Sequence, residues 1–296
     1  MARLRNLWRG AVLPARRRVA RLRWVNRRAP WRLWCALGAA DALTVAWVVA
    51  TRAGRPLRFL QIGSNDGVVH DPLHQVVRAC HWTGVLVEPL PELFEKLVAN
   101  YDGVPGLAFE NVALGTEDGT TTMYKVDPRP GDPYWVALLA SFDKDVILSQ
   151  ADVLRGVGSR LLEVAVETVT LETLVARNGL ETIDFLHVDA EGYDHAVLEQ
   201  IDFAAPWAPA FIVFEREHFD AATDRATRRR LGDAGYTCID VWPDQLAYRV
   251  PPEALGAHGA RPGRGPVAGR GAAPRDAVPR GAPAHTGDAE VSRAAP

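Results

Sequence analysis

Residues Ile183-Asp-Phe-Leu-His-Val-Asp-Ala-Glu-Gly-Tyr-Asp194 run from an apolar stretch of strand length into two carboxylates, Asp189 and Glu191, and then Gly192. A helical pattern follows directly, with Val197, Leu198 and Ile201 at its apolar positions. A buried strand that ends in acids and feeds a helix fits an open α/β sheet, where ligands bind at the carboxyl ends of the strands. Acids that merely cap the helix would be spelled the same way.

The flanking sequence repeats the rhythm. Leu57–Ile62 reads as a strand, followed by the polar turn Gly63-Ser-Asn-Asp-Gly67. Asp71-Pro72 predicts a helix start, with Asp as N-cap and Pro at N1. Gly84–Val87 is a second strand, capped by Glu88-Pro89. Pro91–Asn100 is a helix with Leu93, Phe94, Leu97 and Val98 on one face. Leu107–Leu114 is a third strand, and residues 119–126 and 164–169 suit an added ribbon. Leu171–Ala176 predicts a short helix that Gly179 can end. Phe211–Phe214, a helix around Ala222–Ala234, and the pair Tyr236–Val241 and Ala247–Val250 complete the series. The alternation predicts a doubly wound, mostly parallel sheet with helices on both faces.

Net charge of -2 conceals an asymmetry. Residues 1–55 hold thirteen Arg and one acid, whereas residues 56–250 hold fifteen Lys or Arg against thirty-one Asp or Glu. We therefore expect an arginine-rich helical arm over 1–55, a folded body over 56–250 and a disordered Ala/Gly/Pro/Arg-rich tail over 251–296. The acidic body argues against nucleic-acid binding. Cys35, Cys80 and Cys238 lie far apart, which suits a reducing cytoplasm. Within the arm, Ala36–Ala50 is apolar except for Asp41, shorter than a membrane span. It reads as a helix packed on the domain, with peripheral contact of the basic arm to an anionic membrane as the alternative.

The turn Gly63–Gly67 is the natural nucleotide side. Its glycines allow close backbone approach, and Ser64, Asn65 and Asp66 offer side-chain hydrogen bonds. It is not Gly-x-Gly-x-x-Gly, and it places an acid where a pyrophosphate wants bare N–H groups, which favours a cationic or zwitterionic ligand. Glu88 ends the second strand about twenty residues beyond Gly67, where an acid can accept both hydroxyls of a ribose. Asn111, closing the third strand, is a candidate lining residue for an adenine.

These strings together resemble one family. Phe59-Leu-Gln-Ile-Gly-Ser-Asn-Asp-Gly67, Gly84-Val-Leu-Val-Glu-Pro89, Asn111-Val-Ala-Leu-Gly115, Ile183–Asp194, Phe211-Ile-Val-Phe-Glu215, Gly235-Tyr236 and Asp244-Gln-Leu-Ala-Tyr248 occur in the order found in FkbM-type methyltransferases. The resemblance covers about 57 to 249. It implies a class I fold with a seven-stranded sheet, S-adenosylmethionine as cofactor, and O-methylation of a hydroxyl on a sugar, glycan or polyketide-like small molecule. It puts the cofactor at Gly63, Asn65, Asp66, Gly67 and Glu88, and maps the fourth-strand motif onto Asp189, Glu191 and Gly192. Many members carry Lys where this chain has His187, so a role assigned to that Lys does not transfer.

Methyl transfer to oxygen needs positioning and a way to activate the alcohol. Asp189 is the first candidate for base, Glu191 a helper or substrate ligand, and His187 a candidate by strand parity, although a hydrogen-bonded core histidine reads equally well. Asp189 and Glu191, with Glu215 and His218, are also a possible oxygen-rich set for a divalent metal. Residues 127–162 form a long insertion carrying Pro128, Pro130, Pro133, Tyr134, Trp135, Ser141 and Phe142. Loops of that length are often lids: Tyr134 and Trp135 are placed to stack on a sugar, and Ser141 to bond cofactor or acceptor. A packed excursion with aromatic anchors is the plainer reading. The competing functions are a nucleotide-dependent oxidoreductase and a non-catalytic binding protein on the same fold.

Overall fold

Strands β1 (Arg58–Ile62), β8 (Phe185–Val188) and β9 (Phe211–Glu215) are buried along nearly their whole length, as befits a sheet covered on both faces. They belong to a computed structural model that describes residues 42–255, apart from 153, 155, 242, 243, 251 and 253. Most of the expected arginine arm and nearly all of the expected tail lie outside the described residues. With β2 (Thr83–Val87), β3 (Leu107–Glu110), β10 (Thr237–Val241) and β11 (Asp244–Tyr248), these strands form a seven-stranded sheet. Its order is β10-β11-β9-β8-β1-β2-β3, and every neighbouring pair is parallel except those made by β11.

Strand alternation sorts the core into two layers. Phe59, Phe185, Phe211 and Val213 face a layer containing Trp82, helix α1 (Ala42–Ala53), helix α2 (His74–Cys80) and Leu97 of α3 (Pro91–Asn100). Leu60, Ile62, Leu186, Val188, Ile212 and Phe214 face the other layer. There they meet Leu174 of a helix labelled, in chain order after α4 (Lys144–Leu148), α5 (Leu171–Arg177). Val197 and Leu198 of α6 (Asp194–Glu199) and Leu231 of α7 (Ala221–Asp233) complete it. Each fully buried Leu or Phe contributes about 1.5–3 kcal/mol, so the sheet interior anchors the strand tips firmly. Helix α1 is the end of the apolar run before the body, and Val45, Ala46, Val48 and Val49 are buried in the core. No helix among the described residues is long and apolar enough to cross a membrane.

Three boundaries differ from expectation, each for a local reason. The third strand divides: β3 closes the edge of the main sheet, while β4 (Ala113–Leu114) crosses to a second sheet. Between them, the Asn111 side-chain amide donates to the carbonyls of Glu88 and Pro89 and pulls the chain aside. The second sheet has the order β4-β7-β5-β6, and its core is the expected ribbon, β5 (Gly119–Val126) paired antiparallel with β7 (Leu161–Val169). β6 (Ala140–Ser141) forms its edge.

Helix α2 begins at His74, not behind Asp71. The half-buried Asp71 carboxylate instead accepts from the Leu73 amide, the Gln61 side chain and the Tyr101 hydroxyl. Burial nevertheless pushes its carboxyl above the usual range against those hydrogen bonds. The terminal pair closes tighter than its apolar spelling suggests, with Asp244 opposite Val241.

Candidate functional site

The strand order reverses direction at β1, whose neighbours are β2 and β8. A crevice outside the carboxyl ends of strands forms at such a switch point. The tips of β1 and β8 meet there: the Asp189 amide donates to the Ile62 carbonyl at 3.0 Å. Gly63 lies so close that a Cβ on it would stand 1.8 Å from the Asp189 carbonyl oxygen, and its φ is +76°. Only glycine fits between the two tips.

The turn is held by its own hydrogen bonds. Gly63 and Ser64 donate to the Val87 carbonyl, Gly67 donates to the Ser64 carbonyl, and Val68 and Val69 donate to the Asp66 carboxylate. Asn65, at φ +49°, donates its amide to Glu88 Oε2 at 2.9 Å. With these N–H groups satisfied internally, the turn makes no nest for a pyrophosphate. The Ser64 hydroxyl is buried and accepts from the Val87 amide, so it staples the turn to β2.

Glu88 is buried at the tip of β2, with the Leu90 amide on Oε1 as well as Asn65 on Oε2. Burial pushes its carboxyl up to about 7, against those two hydrogen bonds and with help from the Asp66 charge. An ionised carboxylate has about four acceptor positions, so two remain for a vicinal diol. Asn111 braces the loop carrying Glu88 through the two carbonyls already named.

On the other side of the crevice the tips of β8 and β9 gather acids. Asp189 is pushed well above the usual carboxylate range, first by burial and then by the charges of Glu191, Asp194, Asp244 and Glu88. Glu215, the last residue of β9, is raised by burial and by Asp189, Glu191, Asp194 and Glu217. Asp194, the last residue of the Ile183–Asp194 stretch, is 1% exposed and raised to about 7 by burial, with the Glu191 charge adding to it. His218 is raised chiefly by its interaction with Glu191. Glu191, Glu215 and His218 each bring one donor atom within 4.8 Å of the others, whereas Asp189 is not in that set.

His187 shares its parity with Asp189 but lies within the sheet, in register with Gln61 and Val213. Burial pulls its imidazole down to about 4, so it is neutral, and Nδ1 has no partner. Its surroundings are those of a core histidine.

The excursion over residues 127–162 clasps both edges of the crevice. Tyr134 OH donates to Asp66 Oδ2 at 2.6 Å, and Ser141 Oγ donates to the Glu191 carbonyl at 2.7 Å. Ser141 is thus spent on the turn after β8. Phe142 packs edge-on against Tyr193, with ring centroids 4.8 Å apart. Trp135 packs in a small core with Val136, Leu139 and Ile147, so only Tyr134 of the aromatic pair is exposed. Burial would raise the Asp66 carboxyl, but Tyr134, the Val69 and Val68 amides and Lys96 hold it below its usual value. Tyr134→Phe should cost at most about 1 kcal/mol while faster hydrogen exchange spreads through residues 134–139. Unchanged exchange there would show that the Asp66 bond does not hold the excursion.

Residues 61–238 match the methyltransferase FkbM domain. The chain belongs to the FkbM methyltransferase family. It is an S-adenosylmethionine-dependent methyltransferase, and its acceptor is a small molecule or a macromolecule. A methyltransferase from Geobacter sulfurreducens is 15% identical to this FkbM chain, over 85% of it and 97% of its own length, with a TM-score of 0.40. The FkbM methyltransferase of Methylobacillus flagellatus KT is 10% identical over 73% of the chain, which spans 57% of that protein, at a TM-score of 0.41. A SAM-dependent methyltransferase from Aquifex aeolicus is 10% identical, over 78% and 96%, at 0.34. No curated protein matches the chain in sequence. Within the FkbM domain, sequence reasoning missed the Tyr134 bond to Asp66 and the buried Asp194. Contacts across 68 residues leave no local signal in a single sequence.

Proposed function

We propose that this FkbM methyltransferase O-methylates a hydroxyl of a sugar, glycan or polyketide-like small molecule. The observation that carries the reading is the pairing of Glu88 and the glycine turn, on one side of the switch-point crevice, with Asp189 on the other. Gly63, packed against the Asp189 backbone, and Gly67, packed against Leu97 and Tyr101, would shape the turn beside S-adenosylmethionine, Glu88 would accept its ribose hydroxyls, and Asn65 and Asp66 would border it. That cofactor supplies a methyl group on a positively charged sulfur. A crevice bordered by Asp66, Glu88 and Asp189 suits a cation and disfavours a dinucleotide phosphate.

Asp189 serves as the base. The raised pKa makes its ionised form a stronger proton acceptor than an exposed carboxylate, and in that form it takes the hydroxyl proton as the oxygen attacks. Glu191, on a turn pinned by Ser141, orients the acceptor. Methyl transfer to a panel of sugars, followed by carbon NMR of the products, tests the reading: methyl ethers are expected, whereas N- or C-methyl products would overturn it.

Glu88 gives the cofactor step a pH signature. Its carboxyl sits near 7 in the free protein, and hydrogen bonds from a diol favour the ionised form. Affinity for S-adenosylmethionine should therefore rise with pH, by up to about tenfold per unit below 7, and level off above it. In Glu88→Gln the slope should vanish and binding at pH 8 should weaken. Titration calorimetry from pH 6 to 8 checks this, and an unchanged slope in the variant would remove Glu88 from the cofactor site.

A further inference from the structure

The three donors Glu191, Glu215 and His218 come from two neighbouring tips, the turn after β8 and the end of β9. His218 Nε2 stands 3.7 Å from Glu191 Oε2 and 4.0 Å from Glu215 Oε2. Both separations are too long for ordinary hydrogen bonds. They match ligands sharing one ion, since donors held at about 2.1 Å from a metal stand about 3 to 4 Å apart.

Two oxygens beside this triangle accept no hydrogen bond. Glu215 Oε2, itself one of the donors, is buried without a hydrogen bond, and so is Oδ1 of Asp194, a residue only 1% exposed. The charge of the Asp194 carboxylate raises Glu215, His218 and Asp189 alike. Buried carboxylate oxygens are costly unless something positive satisfies them. Among the described residues no Lys or Arg forms an ion pair with Asp189, Glu191, Asp194 or Glu215, and Arg216 is turned to Asp224 and Asp240.

We propose that Glu191, Glu215 and His218 bind a divalent cation of the Mn²⁺ type, with Asp194 completing the negative charge behind it. Two carboxylates and one imidazole suit an ion that takes both oxygen and nitrogen, in preference to Mg²⁺ or Ca²⁺, which favour oxygen alone. The use of the ion rests on the methyl-transfer reading: beside Asp189, it lowers the pKa of an acceptor hydroxyl entering its open positions. The site itself does not depend on that reading.

Mn²⁺ titration of the chelator-treated full chain, read by electron paramagnetic resonance, tests the site. One bound Mn²⁺ per chain is expected, weakened at least tenfold in Glu215→Gln and in His218→Gln. Should Glu215→Gln fail to fold, Glu191→Gln on its half-exposed turn carries the same expectation. No bound Mn²⁺, equal affinity in the variants, or tighter binding of Mg²⁺ would overturn the assignment. Calorimetry with S-adenosylmethionine on the same metal-free protein separates the two ideas. Cofactor bound with no Mn²⁺ site overturns the ion site alone. Mn²⁺ bound with no cofactor overturns the methyl-transfer reading and leaves the ion site standing.

Discussion

Gly63→Ala is expected to destabilise the protein by about 3 to 5 kcal/mol and to abolish cofactor binding. The added methyl would stand 1.8 Å from the Asp189 carbonyl oxygen, and that oxygen is backbone, so no side chain can swing aside. Relief requires β1 and β8 to part at their tips, breaking the bond from the Asp189 amide to Ile62 and shifting the turn that carries Asn65 toward Glu88. Gly103→Ala is the control. Gly103 has a comparable φ of +72° but nothing within 4 Å of the added Cβ, so it should cost only the conformational strain, about 1 kcal/mol. Urea unfolding of both variants checks the difference. Equal destabilisation would mean that the contact between the tips is not as tight as described.

Asp189→Asn is expected to lower kcat by about 10²–10⁴. The amide keeps the size of the carboxylate but cannot take a proton. The same change removes a carboxyl whose ionisation is opposed first by burial and then by the charges of Glu191, Asp194, Asp244 and Glu88. Its melting temperature at pH 8 should therefore rise as activity falls, the trade-off expected where a site is built of unfavourable charges. A residue that merely held the fold together would lose both. Steady-state kinetics with a methyl-accepting sugar and thermal melts on the same preparation give the comparison, and full activity in Asp189→Asn would remove Asp189 as the base.

The sheet was legible because its strands are buried on both faces and spell themselves as short apolar runs between helical patterns. Val85–Val87 and Phe211–Phe214 are wholly apolar, and Phe59–Ile62 and Phe185–Val188 carry one polar residue each, Gln61 and His187. Boundaries failed where a side chain overrode the local pattern. Asn111 ends β3 by bonding to carbonyls 22 and 23 residues away, and Asp71 leaves its helix-capping position to accept from Gln61 and Tyr101.

At the site, the positions of Gly63, Glu88, Asp189 and Glu191 follow from the rule that strand tips carry the chemistry. Their partners do not. Whether Ser141 faces a ligand or the Glu191 carbonyl depends on how the excursion packs, and that in turn depends on Trp135, Val136 and Ile147 finding their own small core. His187 shows the limit of parity: it shares a side with Asp189 yet lies within β8, buried and in register with Gln61 and Val213.

The crevice between the tips of β1, β2 and β8 is expected to bind a sulfonium nucleotide through the glycine turn and Glu88. Titration calorimetry of the full chain with S-adenosylmethionine, S-adenosylhomocysteine and NAD tests it most directly. Saturable one-to-one binding of both sulfur nucleotides, lost in Glu88→Ala, with no heat from NAD, is the expected result. Binding of NAD with neither sulfur nucleotide bound would contradict it.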